Sequence, residues 1–251
     1  MCGICGIVDF KNKISDKKKL TNIMSEKLTH RGPDDKGDFD DDFVSLGFKR
    51  LSILDVKNGN QPMTNKKKSI FSIFNGEIYN FKEIKKQLEE NGYSFFSNSD
   101  SEIIPYAFEK WGIDFVKKLN GMFSIAIYDK ENKSFYLIRD RLGIKPLYYF
   151  KHNETVAFSS EINSIISFPF FKKKVNFKAV SSYLSFRYPT EDGEIFFKDL
   201  KRVPPGNFIK ITPDKDGAFK YWNIPFPKTS ITHKESYYLE KLDHLLNLSV
   251  K

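Results

Sequence analysis

Strand-like runs in this chain fall in clusters between helices, not in strict β-helix-β alternation, and that grouping constrains the fold most. It favours an α+β class over a doubly wound parallel sheet. The pattern starts at once, since residues 4–10 of MCGICGIVDF read as a strand. Further strands are expected over residues 44–54, 69–74, 122–128, 134–139, 146–150, 155–159, 207–212 and 218–222, with residues 129–133 as a hairpin turn. Helices are expected over residues 17–29, from Asn80 to about residue 91, around Ile103, Ile104, Ala107 and Phe108, from Ser160, and near Asn176. Asn80 with Glu83 reads as a capping box, and Ser99 or Asp100 as the cap of the third helix. Residues 30–37, HRGPDDKG, are dense in turn formers and read as a loop.

Composition excludes several classes. A chain of 251 residues holds one large domain or two small ones, with 40% hydrophobic residues and 16% aromatic ones, too many for disorder. The apolar runs fall short of the ~18 residues of a membrane span, so a soluble globular protein is expected. The net charge of +9 invites a nucleic-acid reading. Much of it sits in lysine runs at residues 17–19, 66–68 and 172–174, which lie far apart and lack interleaved aromatics; they read as solvated surface. Two cysteines cannot build a disulfide framework, and the apolar stretch over residues 3–8 is too short for a secretion signal. A reducing, cytoplasmic setting is expected.

Residues 223–228 contain two prolines and read as a linker. After them Leu242, Leu245, Leu246 and Val250 begin an amphipathic helix with no Gly or Pro stop, as if a second domain followed.

Cys2 and Cys5 form a CxxC with three chemical readings. A zinc half-site needs two more ligands, and His30, His152, His233 and His244 show no matching spacing. A redox pair follows a strand and opens a helix, whereas this pair opens a strand. The third reading removes Met1 and leaves Cys2 first in the chain. Its α-amine (reference pKa about 7.7–8.0) can then take the proton of its own thiol (about 8.5) without a histidine. A small buried thiol is the plain alternative. Other candidates have plain readings too: Arg50 as a surface ion-pair partner, Asn75–Gly76 as a hairpin turn, and Asp100 as a helix cap.

The motifs taken together change that weighting. MCGICGIVDF, HRGPD at residues 30–34, RLSILD at 50–55, NGEIYN at 75–80, SDSE at 99–102, NGMF at 120–123 and RDRLGIKPLYY at 139–149 occur in this order, followed by FSSEI and VPPGN. In this the chain resembles the glutaminase domain of glutamine-dependent asparagine synthetases, which are class II, N-terminal nucleophile amidotransferases. The resemblance covers essentially residues 2–225, with 226–251 as a linker and the first helix of a truncated synthetase domain. It implies the four-layer αββα sandwich of N-terminal nucleophile hydrolases. It also implies that Cys2 attacks the side-chain amide of L-glutamine to form a γ-glutamyl thioester, with release of ammonia and then glutamate. Asn75 (side chain) and Gly76 (backbone N–H) would form the oxyanion hole, where losing one donor typically costs about 10²–10³ in rate. Arg50 would clamp the α-carboxylate, Asp100 and Glu77 would meet the α-ammonium, and backbone groups of Leu51 and Ile53 would add contacts.

HRGPD and RDRLGIKPLYY read mainly as structural loops, and Cys5 as a small core residue. Glucosamine-6-phosphate synthases and phosphoribosyl amidotransferases carry HNG or NGN variants in place of NGEIYN, which favours the asparagine-synthetase type. The family's ATP-binding SGGxDS loop does not occur in this sequence. No cofactor or metal is expected here; ATP and Mg²⁺ belong to the missing domain, which would adenylate aspartate to make asparagine. Another ammonia acceptor, such as a sugar or secondary metabolite, and a catalytically dead scaffold are the alternatives. Neither nucleic acid nor membrane is an expected partner, and a homodimer is left open.

Overall fold

The computed structural model describes residues 1–187, 195–226 and 233–250. Among the described residues, twelve strands form two antiparallel sheets of six. The first sheet contains β1 (Gly3–Val8), β2 (Asp35–Asp40), β3 (Val44–Arg50), β8 (Tyr148–His152), β9 (Thr155–Ser159) and β10 (Leu200–Arg202), in the order β10-β8-β9-β1-β3-β2. The second contains β4 (Met63–Thr64), β5 (Ile70–Ile78), β6 (Gly121–Asp129), β7 (Ser134–Arg139), β11 (Asn207–Ile211) and β12 (Asp216–Lys220), in the order β12-β11-β7-β6-β5-β4.

Successive strand residues face opposite sides of a sheet, and both sides of each sheet are covered here. Between the sheets lie Ile4, Val8, Val44, Leu46 and Phe48 from the first and Ile73, Tyr128, Phe135 and Leu137 from the second. The intervening residues point outward. Cys5 and Ile7 pack with Met24 and Leu28 of the α1 region and Ile165 of α4, where α1 is Lys17–Glu26 and α4 is Ile162–Ile166. Phe74, Ile78, Ile125 and Ile127 pack against α2 (Phe81–Glu89) and α3 (Ile103–Trp111). The result is the expected α+β sandwich in four layers, helix–sheet–sheet–helix. Cys5 is a fully buried core thiol, as its sequence setting suggested.

Several local expectations are corrected. Asn80 makes no side-chain cap on α2. Its amide instead bridges the strand entry opposite, accepting from Asn120 N at 2.8 Å and donating to Lys118 O at 2.9 Å. The residue before α3 is Glu102, again with no side-chain cap, so neither Ser99 nor Asp100 caps that helix. Asn75–Gly76 is no hairpin turn, because β5 runs on through both to Ile78. The strand expected over residues 44–54 stops at Arg50, and residues 35–37 of the expected loop open edge strand β2, which runs on to Asp40. Lys17, read as solvated, is buried and bonds Asn12 Oδ1 and Ile14 O. Residues 66–68 and 172–174 are exposed as expected.

A helix α5 (Phe177–Phe186) is capped by Asn176, whose side chain accepts from Ala179 N at 3.4 Å. The C-terminal helix α6 (Glu235–Val250) buries none of its residues. Positions 227 and 228 of the expected linker lie outside the described residues. Among the described residues, no helix is long and apolar enough to cross a membrane.

Candidate active site

Strand parity assembles the site. β1 and β3 pair with Gly3 opposite Lys49, which sets Cys2 beside Arg50 one step further on. Both continue the inward-facing series of Ile4 and of Leu46 and Phe48. Across the sandwich, Asn75 and Glu77 continue the inward series of Ile73 on β5. Four side chains from three strands therefore meet at one end of the inter-sheet space. Asp100, in the segment between α2 and α3, is pinned to the end of β5 because its Oδ2 accepts from Ile78 N at 2.9 Å.

A cavity of about 250 Å³ opens there. All eight residues singled out from the sequence line it: Cys2, Arg50, Leu51, Ile53, Asn75, Gly76, Glu77 and Asp100. It lies below the roughly 300–1,000 Å³ of pockets for drug-sized ligands, so it suits a small molecule.

Cys2 Sγ donates to Leu51 O at 3.6 Å and receives Leu51 N–H at 3.5 Å. Both backbone groups of Leu51 thus hold the thiol, where sequence reasoning had assigned Leu51 to the ligand. Ile53 lines the cavity from the loop after β3, with its side chain largely exposed. Burial pushes the Cys2 thiol up, while the Leu51 N–H, the chain's amino group and Arg50 pull it down. A thiol biased toward its protonated form needs a proton acceptor close by before it can act as a nucleophile.

Arg50 is buried, and three backbone carbonyls of the following loop fix its guanidinium. Nη1 donates to Val56 O at 2.8 Å, and Nη2 to Leu54 O at 3.1 Å and Asp55 O at 2.7 Å. Of five N–H donors, two remain for a ligand. The loop can close this tightly because residue 59 is glycine: a Cβ there would sit 2.5 Å from Nη2.

Asn75 is almost fully buried, and its Nδ2 has no hydrogen-bond partner in the protein. A buried amide donor without a partner costs about 1–3 kcal/mol, which a ligand acceptor would recover. Gly76 packs so closely on β6 that a Cβ would strike Met122 O. Burial raises the carboxyls of Glu77 and Asp100, and Asp100 reaches about 7, helped by the neighbouring Glu77 charge. A cationic ligand group would restore the charged form of both.

Two motifs read as structural also reach the site. Arg31 of HRGPD donates through Nε to Cys2 O at 3.0 Å and through Nη1 to Glu161 at 2.9 Å, so it anchors the backbone of Cys2. Lys145 of RDRLGIKPLYY lines the cavity. Nothing in its local sequence separates a cavity lysine from a surface one. Among the described residues, no three His, Cys, Asp or Glu side chains gather to hold a metal ion.

A thiol, an unpaired amide donor, a fixed guanidinium, a buried carboxyl and a half-buried one together suit a small zwitterion with an electrophilic amide. The comparisons agree with that chemistry. A family profile described as "Glutamine amidotransferase domain" matches residues 1–222. The chain is 34% identical over 239 residues to asparagine synthetase [glutamine-hydrolyzing] 3 of Bacillus subtilis (strain 168), covering 94% of this chain and 38% of that protein. It is 38% identical over 223 residues to asparagine synthetase [glutamine-hydrolyzing] 1 of the same organism, covering 88% and 35%. It therefore spans little more than a third of the length of either relative. Among solved structures, the glutamine phosphoribosylpyrophosphate amidotransferase from B. subtilis superposes over 88% of this chain and 49% of that one, with a TM-score of 0.65 at 17% identity. That likeness shows that the two chains share the four-layer sandwich fold. With the family profile running from the first strand of one sheet through the last strand of the other, this chain belongs to the glutamine amidotransferase domain family.

Proposed function

We propose that this chain hydrolyses L-glutamine to glutamate and ammonia through Cys2. The observation that carries the reading is the meeting of Cys2, Arg50, Asn75 and Asp100 around one small cavity. Removal of Met1 frees the α-amine of Cys2, which accepts the thiol proton as Sγ attacks the side-chain carbonyl carbon of glutamine. Charge develops on the carbonyl oxygen, and the unpaired Nδ2 of Asn75 and the backbone N–H of Gly76 receive it. The proton returns to the departing nitrogen, ammonia leaves, and a γ-glutamyl thioester remains. Water, deprotonated by the same amine, attacks the thioester; glutamate departs and the thiol is restored.

Substrate orientation follows from charge. Arg50 offers its remaining donors to the α-carboxylate, and Asp100 with Glu77 faces the α-ammonium. Ile53 contributes backbone contacts at the mouth. Leu51 serves the nucleophile directly, through its two bonds to Sγ.

The names of the relatives support a further step: ammonia passing to an ATP-dependent domain that converts aspartate to asparagine. ATP and Mg²⁺ would bind in that domain. Residues 2–225 would then form the glutaminase unit, and 226–251 the passage into the synthetase unit. A reducing compartment such as the cytoplasm suits a reaction that depends on a free thiol.

The test is glutamate release from glutamine by the purified protein and by Cys2→Ala, after intact mass confirms loss of Met1. Release by the parent, with loss of at least about 10³-fold in the variant, is expected. Equal release by both would overturn the mechanism.

A further inference from the structure

The loop between β7 and β8 is built to deliver one side chain. Arg139 and Asp140 clamp the backbone of Lys145 from both sides, with Arg139 Nε donating to Lys145 O at 2.8 Å and Lys145 N donating to Asp140 Oδ2 at 2.9 Å. Asp140 also accepts from Leu142 N at 3.1 Å, Ile144 N at 2.9 Å and Phe123 N at 3.2 Å, which ties the loop to β6. The remaining Arg139 nitrogens hold Val203 O and Gly143 O. All of this supports a lysine that is only 6% exposed and lines the same cavity as Cys2. Among the described residues no carboxylate lies within ion-pair distance of it; Glu77, which lines the same cavity, is the carboxyl it acts on across the space, and its Nζ contacts Met1 Sδ at 3.3 Å. An ammonium this buried and without a direct ion pair is expensive to hold, so a clamp this elaborate calls for a use beyond packing.

We propose that Lys145 is a positioning residue whose ammonium, held in the cavity beside the chain's amino end, keeps the α-amine of Cys2 in its neutral, proton-accepting form. The inference rests on the reading of that amine as the catalytic base. In the structure the thioether of Met1 lies on the ammonium, and loss of Met1 removes that contact while leaving the clamp in place. The other charged groups that face this end of the cavity are mixed. Arg50 from β3, Glu77 from β5 and Asp100 line the cavity, while Arg31 from the turn after α1 and Asp34 from the entry to β2 act on the amino end from outside it. Around the Met1 amino group, one residue before that amine, burial, Arg31 and Lys145 favour the neutral form, whereas the Cys2 thiolate and Asp34 favour the ammonium. Lys145 thus offsets the acidic partners and the thiolate that would otherwise trap the proton on the base. Removing a like charge near an amine at a partly buried site moves its titration up by about one pKa unit.

The experiment compares the Met1-processed parent with Lys145→Gln and Lys145→Arg by two readouts. The first is the pH dependence of N-terminal acylation by acetic anhydride, followed by mass spectrometry, which titrates the α-amine without requiring turnover. The second is the pH profile of glutamate release. Expected in Lys145→Gln is an amine titration moved up by about one unit. Its activity should fall about tenfold at pH 6.5 and converge toward the parent at pH 9, while Lys145→Arg restores both profiles. An unmoved amine titration in Lys145→Gln, or a loss of activity equal at every pH, would overturn the proposal. Failure of the underlying reading looks different: Cys2-independent glutamate release, or none at all from the processed parent, whatever the amine titration shows.

Discussion

Asp100 shows how a single residue can have its chemistry set by its surroundings. In sequence it looks like a helix cap; in the structure it is a buried carboxyl raised to about 7, with burial the largest cause. If it receives the α-ammonium of glutamine, it must be ionised to do so. The KM for glutamine is therefore expected to rise as pH falls through about 7, while kcat changes less, and a pH series of initial rates checks this. The same shift bears on stability. Because the folded-state value lies above the ordinary 3.8, the folded protein holds this proton more tightly than the unfolded chain. The stabilisation is complete below about 4 and is lost as pH rises through about 7. Asp100→Asn keeps an acceptor for Ile78 N–H and has no charge to bury. It should gain roughly 1–3 kcal/mol of stability at pH 8, by denaturant unfolding, while glutamine binding weakens. A variant that is less stable at pH 8 would refute the assignment.

At the scale of elements, the loop over residues 140–145 illustrates order without regular secondary structure. The Asp140 carboxylate accepts four backbone N–H groups. Asp140→Ala leaves those donors without their acceptor in a buried site. It is expected to destabilise the protein by about 3 kcal/mol or more, visible as a lower urea midpoint, and to weaken glutaminase activity because Lys145 loses its clamp. Strand β2 marks a limit of sequence reading. DKGDFD carries three acids and is mostly exposed, so no hydrophobic alternation announces it. Its pairing with β3, Asp35 opposite Arg50 through Asp40 opposite Ser45, makes it a strand, and its charges suit an edge that must not pair further. β5 shows the converse: Asn-Gly has strong turn propensity, yet Gly76 stays extended because β6 pairs with every residue from Ile70 to Ile78.

For the whole molecule, three apolar layers account for the fold, and α6 contributes to none of them. Its leucines at 239, 242, 245, 246 and 248 are all exposed. Ending the chain at Phe226 is therefore expected to leave the melting temperature within about 2 °C of the parent, whereas Leu46→Ala between the sheets should cost about 2–5 kcal/mol. Calorimetry of both variants checks the contrast. A fall of several degrees on truncation would mean that α6 packs against the sandwich.

The sequence by itself determined which chemical groups were available and which strand residues share a face. Two-residue strand periodicity relates Cys2 to Ile4 and Arg50 to Phe48, and the ordered motifs identify the family, whereas Asn75 and Glu77 lie beyond the strand expected over residues 69–74. Local patterning carries no information about which strands become neighbours, because that depends on contacts between residues dozens of positions apart. Pairing of β1 with β3 turned both backbone groups of Leu51 onto the thiol, and stacking of the two sheets was needed to bring β5 over them and to bury Asp100 until its carboxyl rose to about 7. The placement of Lys145 was decided in the same way. Its residue type is written in the chain, but burial and a backbone clamp, both products of tertiary packing, direct an ordinary lysine into the cavity.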